Sequence, residues 1–252
     1  MRITVVIPTY NEAENLPRLV SALFALPLDL RVLVVDDGSP DGTGKLADGL
    51  ASANPGRVSV LHRTAKLGIR AAYLAAFKKV LAEGAQAAVQ MDADFSHDPD
   101  ALVGMAHELE SCDLVLGSRY IPGGSVDRQW AFWRKSLSAF GNIYARAILA
   151  LPPRDVTTGY RMWRRETLLG MPLERVTASG YVFQVEMAYL AYCLDYKICE
   201  YPIYFAERQA GTSKMSFKIQ TEAALRVWQV WLNYRDLKKI GRAGRNKLTA
   251  HH

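Results

Sequence analysis

The sequence predicts an α/β protein, with a mainly parallel central sheet flanked by helices and a C-terminal amphipathic helix behind it. Three observations carry this. The first half alternates apolar, strand-like runs with helix-like segments, as a parallel sheet covered on both faces requires. The 252 residues are 50% hydrophobic and 22% charged, which is enough apolar material for one ordinary domain and unlike a disordered chain. Four polar segments, 8–12, 36–41, 92–96 and 117–119, fall at the carboxyl ends of the expected strands, where open parallel sheets bind ligands.

ITVVIP reads as the first strand and ends at Pro8. Asn11 is placed to cap a helix running from Glu12 to about Leu26. RVLVVDD is a second buried strand, and DGSPDGT after it is dense in turn residues. A helix over 44–53, the strand VSVLHR, a helix over 71–83 and the strand AAVQMD come next. A further helix from about Pro99 leads to the strand DLVLGSR.

The second half is less regular. Residues 131–149 read as a helix that sets Arg134, Ser138 and Asn142 along one line of its surface. FKIQTEAALRVWQVWLNYRDLKK reads as another, with Glu222, Arg226, Gln229 and Asn233 in one narrow stripe and an apolar remainder that includes Trp228 and Trp231. Such a helix is either largely buried or lies in a membrane interface.

The start MRITVVIPTY lacks the features of a signal peptide, and no apolar run approaches the ~20 residues that span a bilayer. A cytosolic chain is the expectation. Cys112, Cys193 and Cys199 form no CxxC pair, and an odd count predicts reduced, buried thiols. The formal charge is +6, of which +5 lies between Arg235 and Lys247. A basic tail behind an apolar helix fits an anionic membrane surface better than a nucleic-acid face, and a solvated terminus is the plain alternative.

The chemistry concentrates in VQMDADFSHDPDAL. Residues i and i+2 of an extended chain face the same way, so Asp92 and Asp94 can point together into the crevice. Two carboxylates there offer the hard oxygen ligands that Mg2+ or Mn2+ prefers, and Ser96 adds a hydroxyl. An ion pair or a capped loop is the structural alternative. Asp37, ending the second strand, suggests a ribose or base contact. The turn PTYNEAEN is no GxGxxG, which argues against nicotinamide binding. A dehalogenase-like phosphatase is also discounted, because Asp37 and Asp41 are four apart where that chemistry needs two.

VVIPTYNEAENLP, VVDDGSPDGT, MDADFSHDP, GSRYIPGG, DVTTGYRMWRRE and FAERQAGTSKMS, in this order, resemble glycosyltransferase family 2, and within it the polyprenol (dolichol) monophosphate mannose synthases. The resemblance runs from about residue 3 to residue 220. It implies a GT-A type nucleotide-binding fold over 1–215, with 216–252 as a membrane-proximal helix and basic tail. It also implies GDP-mannose as donor, a polyprenyl phosphate in the membrane as acceptor, a divalent metal, and inversion at the sugar. By matching position, Pro8, Tyr10, Glu12, Val35 and Asp37 would hold the guanosine. Asp92, Ala93 and Asp94 would sit at the diphosphate and metal, with Ser96 where some relatives have a metal-ligating Gln. Arg119, Arg208 and Lys214 would approach the phosphates, and Arg119, Arg134 and Ser138 the acceptor phosphate. Asp92, Asp94 and Arg119 are the catalytic candidates.

The resemblance also implies a peripheral position on the cytoplasmic face of a membrane, compatible with a membrane-protein partner. One departure is Ile69 and Arg70 in KLGIRAAY, where small residues are usual; Arg70 is read as surface charge. Arg161 and Glu186 are read as a structural ion pair. Three rivals remain: a polyprenyl-phosphate glucose synthase using UDP-glucose, transfer to a hydroxyl with a general base, and a non-catalytic nucleotide-sugar sensor. Nucleic-acid binding is the least favoured reading, because the basic charge is concentrated in the tail.

Overall fold

A computed structural model of the chain describes residues 1–129, 132–206 and 217–237. The first strand, β1 (Ile3–Thr9), is followed by α1 (Leu16–Ala25), β2 (Leu30–Asp36), α2 (Thr43–Ala53), β3 (Val58–His62) and α3 (Ile69–Ala82). Then come β4 (Ala87–Gln90), α4 (Ala101–Leu109), β5 (Leu114–Ser118), β6 (Ser125–Val126) and α5 (Phe132–Leu149). The second half adds β7 (Arg161–Arg164), α6 (Arg165–Gly170), α7 (Tyr181–Cys193), β8 (Ile198–Pro202), β9 (Tyr204–Phe205) and α8 (Phe217–Tyr234).

Seven strands form one sheet in the order β3-β2-β1-β4-β7-β5-β8, and β6 pairs with β9 beside it. All pairs in the large sheet are parallel except those of β7, which runs antiparallel between β4 and β5. The apolar strand runs explain this, since successive side chains face opposite ways and both faces are covered. Ile3, Val5 and Ile7 pack with Leu16, Leu19 and Leu23 of α1 and with Leu102 and Met105 of α4. Val6 and Leu33 belong to the opposite layer, with Tyr73 and Phe77 of α3 and Phe183 and Tyr189 of α7. Burial of a large apolar side chain is worth about 1.5–3 kcal/mol, so these two layers hold the strand ends in register.

The parallel sheet and flanking helices are as expected. Helix α1 begins at Leu16 instead of Glu12, and Asn11 caps nothing: it sits at φ 63° in the left-handed region, which Asn tolerates better than most residues. Residues 12–15 make a turn instead, with Leu16 N–H donating to the Glu12 carbonyl at 3.0 Å.

Two further expectations need correction. Cys112 and Cys199 form a disulfide with Cα atoms 6.1 Å apart, while Cys193 takes no part in it and is buried as expected. The reason is β8, a strand not read from the sequence, which pairs Cys199 with Val115 three residues past Cys112. Arg161 and Glu186 are not an ion pair. Glu186 accepts from the amides of Thr177 and Ala178 and from the Tyr234 hydroxyl, at 3.0, 2.6 and 3.0 Å. Fully buried Arg161 donates to the carbonyls of Thr158 and Val156, and burial pushes its pKa down to about 9.

Helix α8 is partly buried and partly open. Val227, Val230 and Tyr234 join the core, and Arg175 clamps its end through Asp236 at 3.0 Å. Its other side shows Leu225, Trp228 and Leu232 to solvent, beside Trp133, Phe140 and Ile143 of α5. Trp228 Nε1 donates to the Tyr144 hydroxyl at 3.2 Å, tying the two helices together. Among the described residues no helix is long and apolar enough to cross a membrane.

Candidate active site

The site lies at the carboxyl ends of β1, β2 and β4, three adjacent strands of the sheet. Each strand is buried until its last residues, and the polar side chains that follow are held by the turns there.

At the end of β2, Asp37 pairs with Arg63, Oδ1 to Nη1, at 2.9 Å, both nearly buried. Burial raises the Asp37 pKa, against the pull of Arg63, and Asp36 next door adds to the rise. Asp36 itself accepts from Ser39, amide at 3.3 Å and hydroxyl at 2.5 Å, and from the Thr9 hydroxyl at 3.4 Å. Gly44 permits this arrangement, since a Cβ on it would lie 2.8 Å from Asp36 Oδ2. Asp41 accepts from the Thr43 amide and hydroxyl at 3.0 and 2.6 Å and from the Ala13 amide at 3.2 Å. Burial raises its pKa, but these hydrogen bonds outweigh burial and hold the carboxyl below its usual range.

The β1 end carries the other guanosine candidates. Pro8 stands opposite Val35 in the register; Val35 is fully buried, so it reaches the cleft only through its backbone, while Pro8 is partly exposed. Tyr10 is exposed, with Lys66 Nζ 3.6 Å above its ring. The Glu12 amide donates to the Thr43 hydroxyl at 2.9 Å, and its carboxylate accepts from Asn15 Nδ2 at 3.0 Å. Arg63, Thr9, Ser39 and Thr43 were not among the sequence candidates. Of these, only Ser39 and Thr43 were signalled, by the turn-rich DGSPDGT.

At the β4 end, Asp92 is half-buried and Asp94 buried. Asp94 Oδ1 accepts both the Ser96 amide at 3.0 Å and its hydroxyl at 2.6 Å. Ser96 has no exposed surface, so its oxygen serves to orient Asp94. Ala93 is buried between the two acids. The Asp92 amide donates to His97 Nδ1 at 3.1 Å, which leaves the neutral ring's proton on Nε2. His97 stacks on Tyr160 with centroids 4.8 Å apart, and the Tyr160 hydroxyl donates to the Asp98 carbonyl at 2.9 Å. His97 thus acts as a pillar under the acidic turn, a role the sequence did not signal. Two carboxylates on a turn held in this way, one of them partly open, suit a hard divalent cation that completes its shell with water and phosphate oxygens.

Arg119 follows β5 and is buried. Its guanidinium grips Asp155, Nε to Oδ2 at 2.7 Å and Nη2 to Oδ1 at 2.8 Å, and reaches Thr157 Oγ1 at 2.9 Å. Asp155 is wholly buried; burial would raise its pKa, but Arg119 dominates and lowers it. Asp155 lies in the motif DVTTGYR, where no role had been assigned to it. The Ser138 hydroxyl, in α5, lies 3.0 Å from the Tyr120 hydroxyl, next to Arg119 in the chain. Arg134 is on the same helix, but its side chain, like Arg208 and Lys214 altogether, lies outside the described residues. Arg70 is not loose surface charge: its Nη1 donates to the Val176 carbonyl at 3.2 Å.

Comparison with known proteins adds to this geometry. Residues 4–169 match the family described as glycosyl transferase family 2. The chain is 47% identical over 227 residues to the polyprenol monophosphomannose synthase of Mycolicibacterium smegmatis, covering 90% of this chain and 85% of that one. It is 44% identical over 227 residues to the undecaprenyl-phosphate mannosyltransferase of Micrococcus luteus, covering 90% and 93%. Among solved structures it is similar to glucosyl-3-phosphoglycerate synthase from Mycobacterium tuberculosis, with a TM-score of 0.62 and 18% identity over 92% of this chain and 80% of that chain. That likeness speaks for the fold, a GT-A-like sheet flanked by helices.

Proposed function

This chain belongs to glycosyltransferase family 2, and we propose that it transfers mannose from GDP-mannose to a polyprenyl phosphate, with inversion at the sugar. The observation that carries the reading is the 47% identity to a polyprenol monophosphomannose synthase across nearly the whole chain. The placement of Asp92 and Asp94 at the end of β4 supports it.

In this reaction an acceptor phosphate oxygen forms a bond to mannose C1, the bond from C1 to the diphosphate oxygen breaks, and GDP leaves with that electron pair. A phosphate monoester with a second pKa near ~6 is already largely ionised at neutral pH, so no residue need remove a proton. The remaining problem is to bring two anions together in the right orientation.

The chain's residues divide that work. Asp37, held by Arg63, and Glu12 with Tyr10 line the guanosine end, with Pro8 and Val35 shaping the cleft. Asp92 and Asp94 would hold Mg2+ or Mn2+, which would take up charge on the leaving diphosphate. Ser96 keeps Asp94 aimed. Glucosyl-3-phosphoglycerate synthase, similar in fold, has been crystallised with Mn2+ and UDP, which supports a metal without choosing it. Ser138, with Arg134 on the same helix, would meet the acceptor phosphate, and Arg208 and Lys214 would offset the charge of the phosphates. Arg119 carries a charge already balanced by Asp155, so its contribution is to fix the wall between donor and acceptor more than to add net positive potential.

The membrane reading rests on α5 and α8. Trp133, Phe140, Ile143, Leu225, Trp228 and Leu232 are exposed by 61, 65, 60, 69, 49 and 49%. Side chains of this size on two helices that touch suit burial among lipid acyl chains, and Trp133, Phe140 and Ile143 sit on the helix that carries Ser138. A peripheral position on the cytoplasmic face, with residues 216–252 as the membrane-proximal part and their basic end at the headgroups, follows from this reading.

The test measures GDP release by purified protein with metal, with and without a polyprenyl phosphate. Release that requires the lipid supports the reading. Release of UDP from UDP-glucose, with no GDP from GDP-mannose, would move the assignment to a glucose synthase, and tight donor binding with no release would favour a sensor.

A further inference from the structure

One wall of the crevice is formed by a residue with no part in the account so far. Gln184 lies in the first turn of α7 and is 7% exposed. Its orientation is set by a chain of hydrogen bonds that begins in the core. Trp163 Nε1 donates to Gln90 Oε1 at 2.8 Å, and an indole N–H can only donate. Gln90 must therefore turn its carbonyl to Trp163 and its NH2 away, and Gln90 Nε2 donates to Gln184 Oε1 at 3.4 Å. That leaves the NH2 of Gln184 directed elsewhere.

Gly159 shows where. A Cβ built on Gly159 would lie 3.8 Å from Gln184 Nε2, 3.9 Å from Asp92 Oδ2 and 3.5 Å from His97 Cε1. The missing side chain leaves a small space bounded by an amide donor on one side and the Asp92 carboxylate on the other. Its place in the sheet matters. Asp37 follows β2 and Asp92 follows β4, while Gly159 precedes β7, the next strand in the order β2-β1-β4-β7. A nucleotide lying across the strand ends with its base near β2 and its diphosphate near β4 would put its sugar over Gly159.

We propose that Gln184 is a substrate-positioning residue whose NH2 donates a hydrogen bond to a hydroxyl of the donor sugar in the space over Gly159. The inference rests on the transferase reading above and deepens it. It also bears on acceptor choice. An amide cannot take up a proton, so this position offers no general base, which suits an acceptor that arrives already ionised, as a phosphate does. A carboxylate here would suit a hydroxyl acceptor instead.

The experiment is calorimetric titration of the metal-loaded protein with GDP and, separately, with GDP-mannose. Wild type, Gln184→Ala, Gln184→Glu and Gly159→Ala are compared, with UDP and UDP-glucose used if that is the pair wild type binds. Gly159→Ala meets its neighbours only at ordinary contact distance, so it probes the space without disturbing the fold. Gln184→Ala and Gly159→Ala should each weaken the sugar nucleotide by about 3–10-fold, the net worth of one hydrogen bond, and leave the nucleoside diphosphate within twofold. Gln184→Glu keeps the shape and the bond from Gln90 but loses the donor, so it should not restore binding. Equal losses for both ligands, or full sugar-nucleotide affinity in Gln184→Glu, would overturn the inference and leave the transferase reading standing. Wild type that binds neither sugar nucleotide would overturn both.

Discussion

The guanidinium of Arg119 and the carboxylate of Asp155 meet through two hydrogen bonds of 2.7 and 2.8 Å, at a place where Asp155 has no exposed surface. The same carboxylate accepts the Arg119 amide at 3.0 Å, so one side chain fixes both the backbone and the tip of its partner. This is a buried pair, and breaking one half should cost more than the pair adds. Asp155→Ala should lower unfolding free energy by about 3–5 kcal/mol, because it strands a buried charge. Replacing both residues with apolar ones of similar volume should cost much less. Denaturant unfolding of the three variants checks this ordering.

The pair also predicts an acid response. Asp155 titrates below the ordinary carboxyl value in the folded chain, while the unfolded chain titrates near about 3.9. Its stabilisation is therefore complete above the unfolded value and is lost as pH falls through the folded one. Unfolding free energy measured from pH 6 down to 2 should fall less steeply below about pH 4 in Asp155→Asn than in wild type. Identical acid slopes would remove Asp155 from the account.

Asp94 and Ser96 separate a ligand from its support. Asp94→Ala should reduce turnover by about 10²-fold or more if leaving-group charge is stabilised there. Ser96→Ala removes one hydrogen bond to Asp94 and should weaken metal affinity by about 10–100-fold, with turnover recovering at high metal. Metal titration of activity distinguishes the two. Turnover within a few-fold of wild type in Asp94→Ala would rule out the metal-centred site.

The exposed stripes of α5 and α8 predict lipid binding. Changing Phe140, Leu225 and Trp228 to serine should reduce flotation with anionic vesicles at least about tenfold, since each side chain can contribute about 1.5–3 kcal/mol on burial. Trp231 should not be used for this purpose, because it is half-buried and packs against the core. Equal flotation of wild type and the triple variant would place membrane contact elsewhere.

The sheet was legible because the strands of the first half are continuous apolar runs ending in turn residues. ITVVIP and RVLVVDD leave no other reading, and the crevice at their ends followed from topology. The second half was less legible for a physical reason. β7 (RMWR) and β8 (ICEYP) have no clear alternation and become strands only because β4 and β5 offer open edges. The disulfide between Cys112 and Cys199 was hidden with β8. Asp92, Asp94 and Asp37 stood out as acids at strand ends. Arg63, which pairs with Asp37, and Asp155, which pairs with Arg119, did not, since pairing across the fold leaves no periodic trace. Gln184 was invisible for a related reason: its orientation is set by Trp163 through Gln90, residues 73 apart in sequence that meet only in the folded sheet.

The most direct measurement of the central claim is transfer of label from radioactive GDP-mannose into the organic phase, with a short polyprenyl phosphate, with and without a metal chelator. The account predicts mannose in the organic phase that depends on both lipid and metal, and none from UDP-glucose run in parallel. Label that never leaves the aqueous phase, under conditions where the protein binds GDP-mannose, would contradict it.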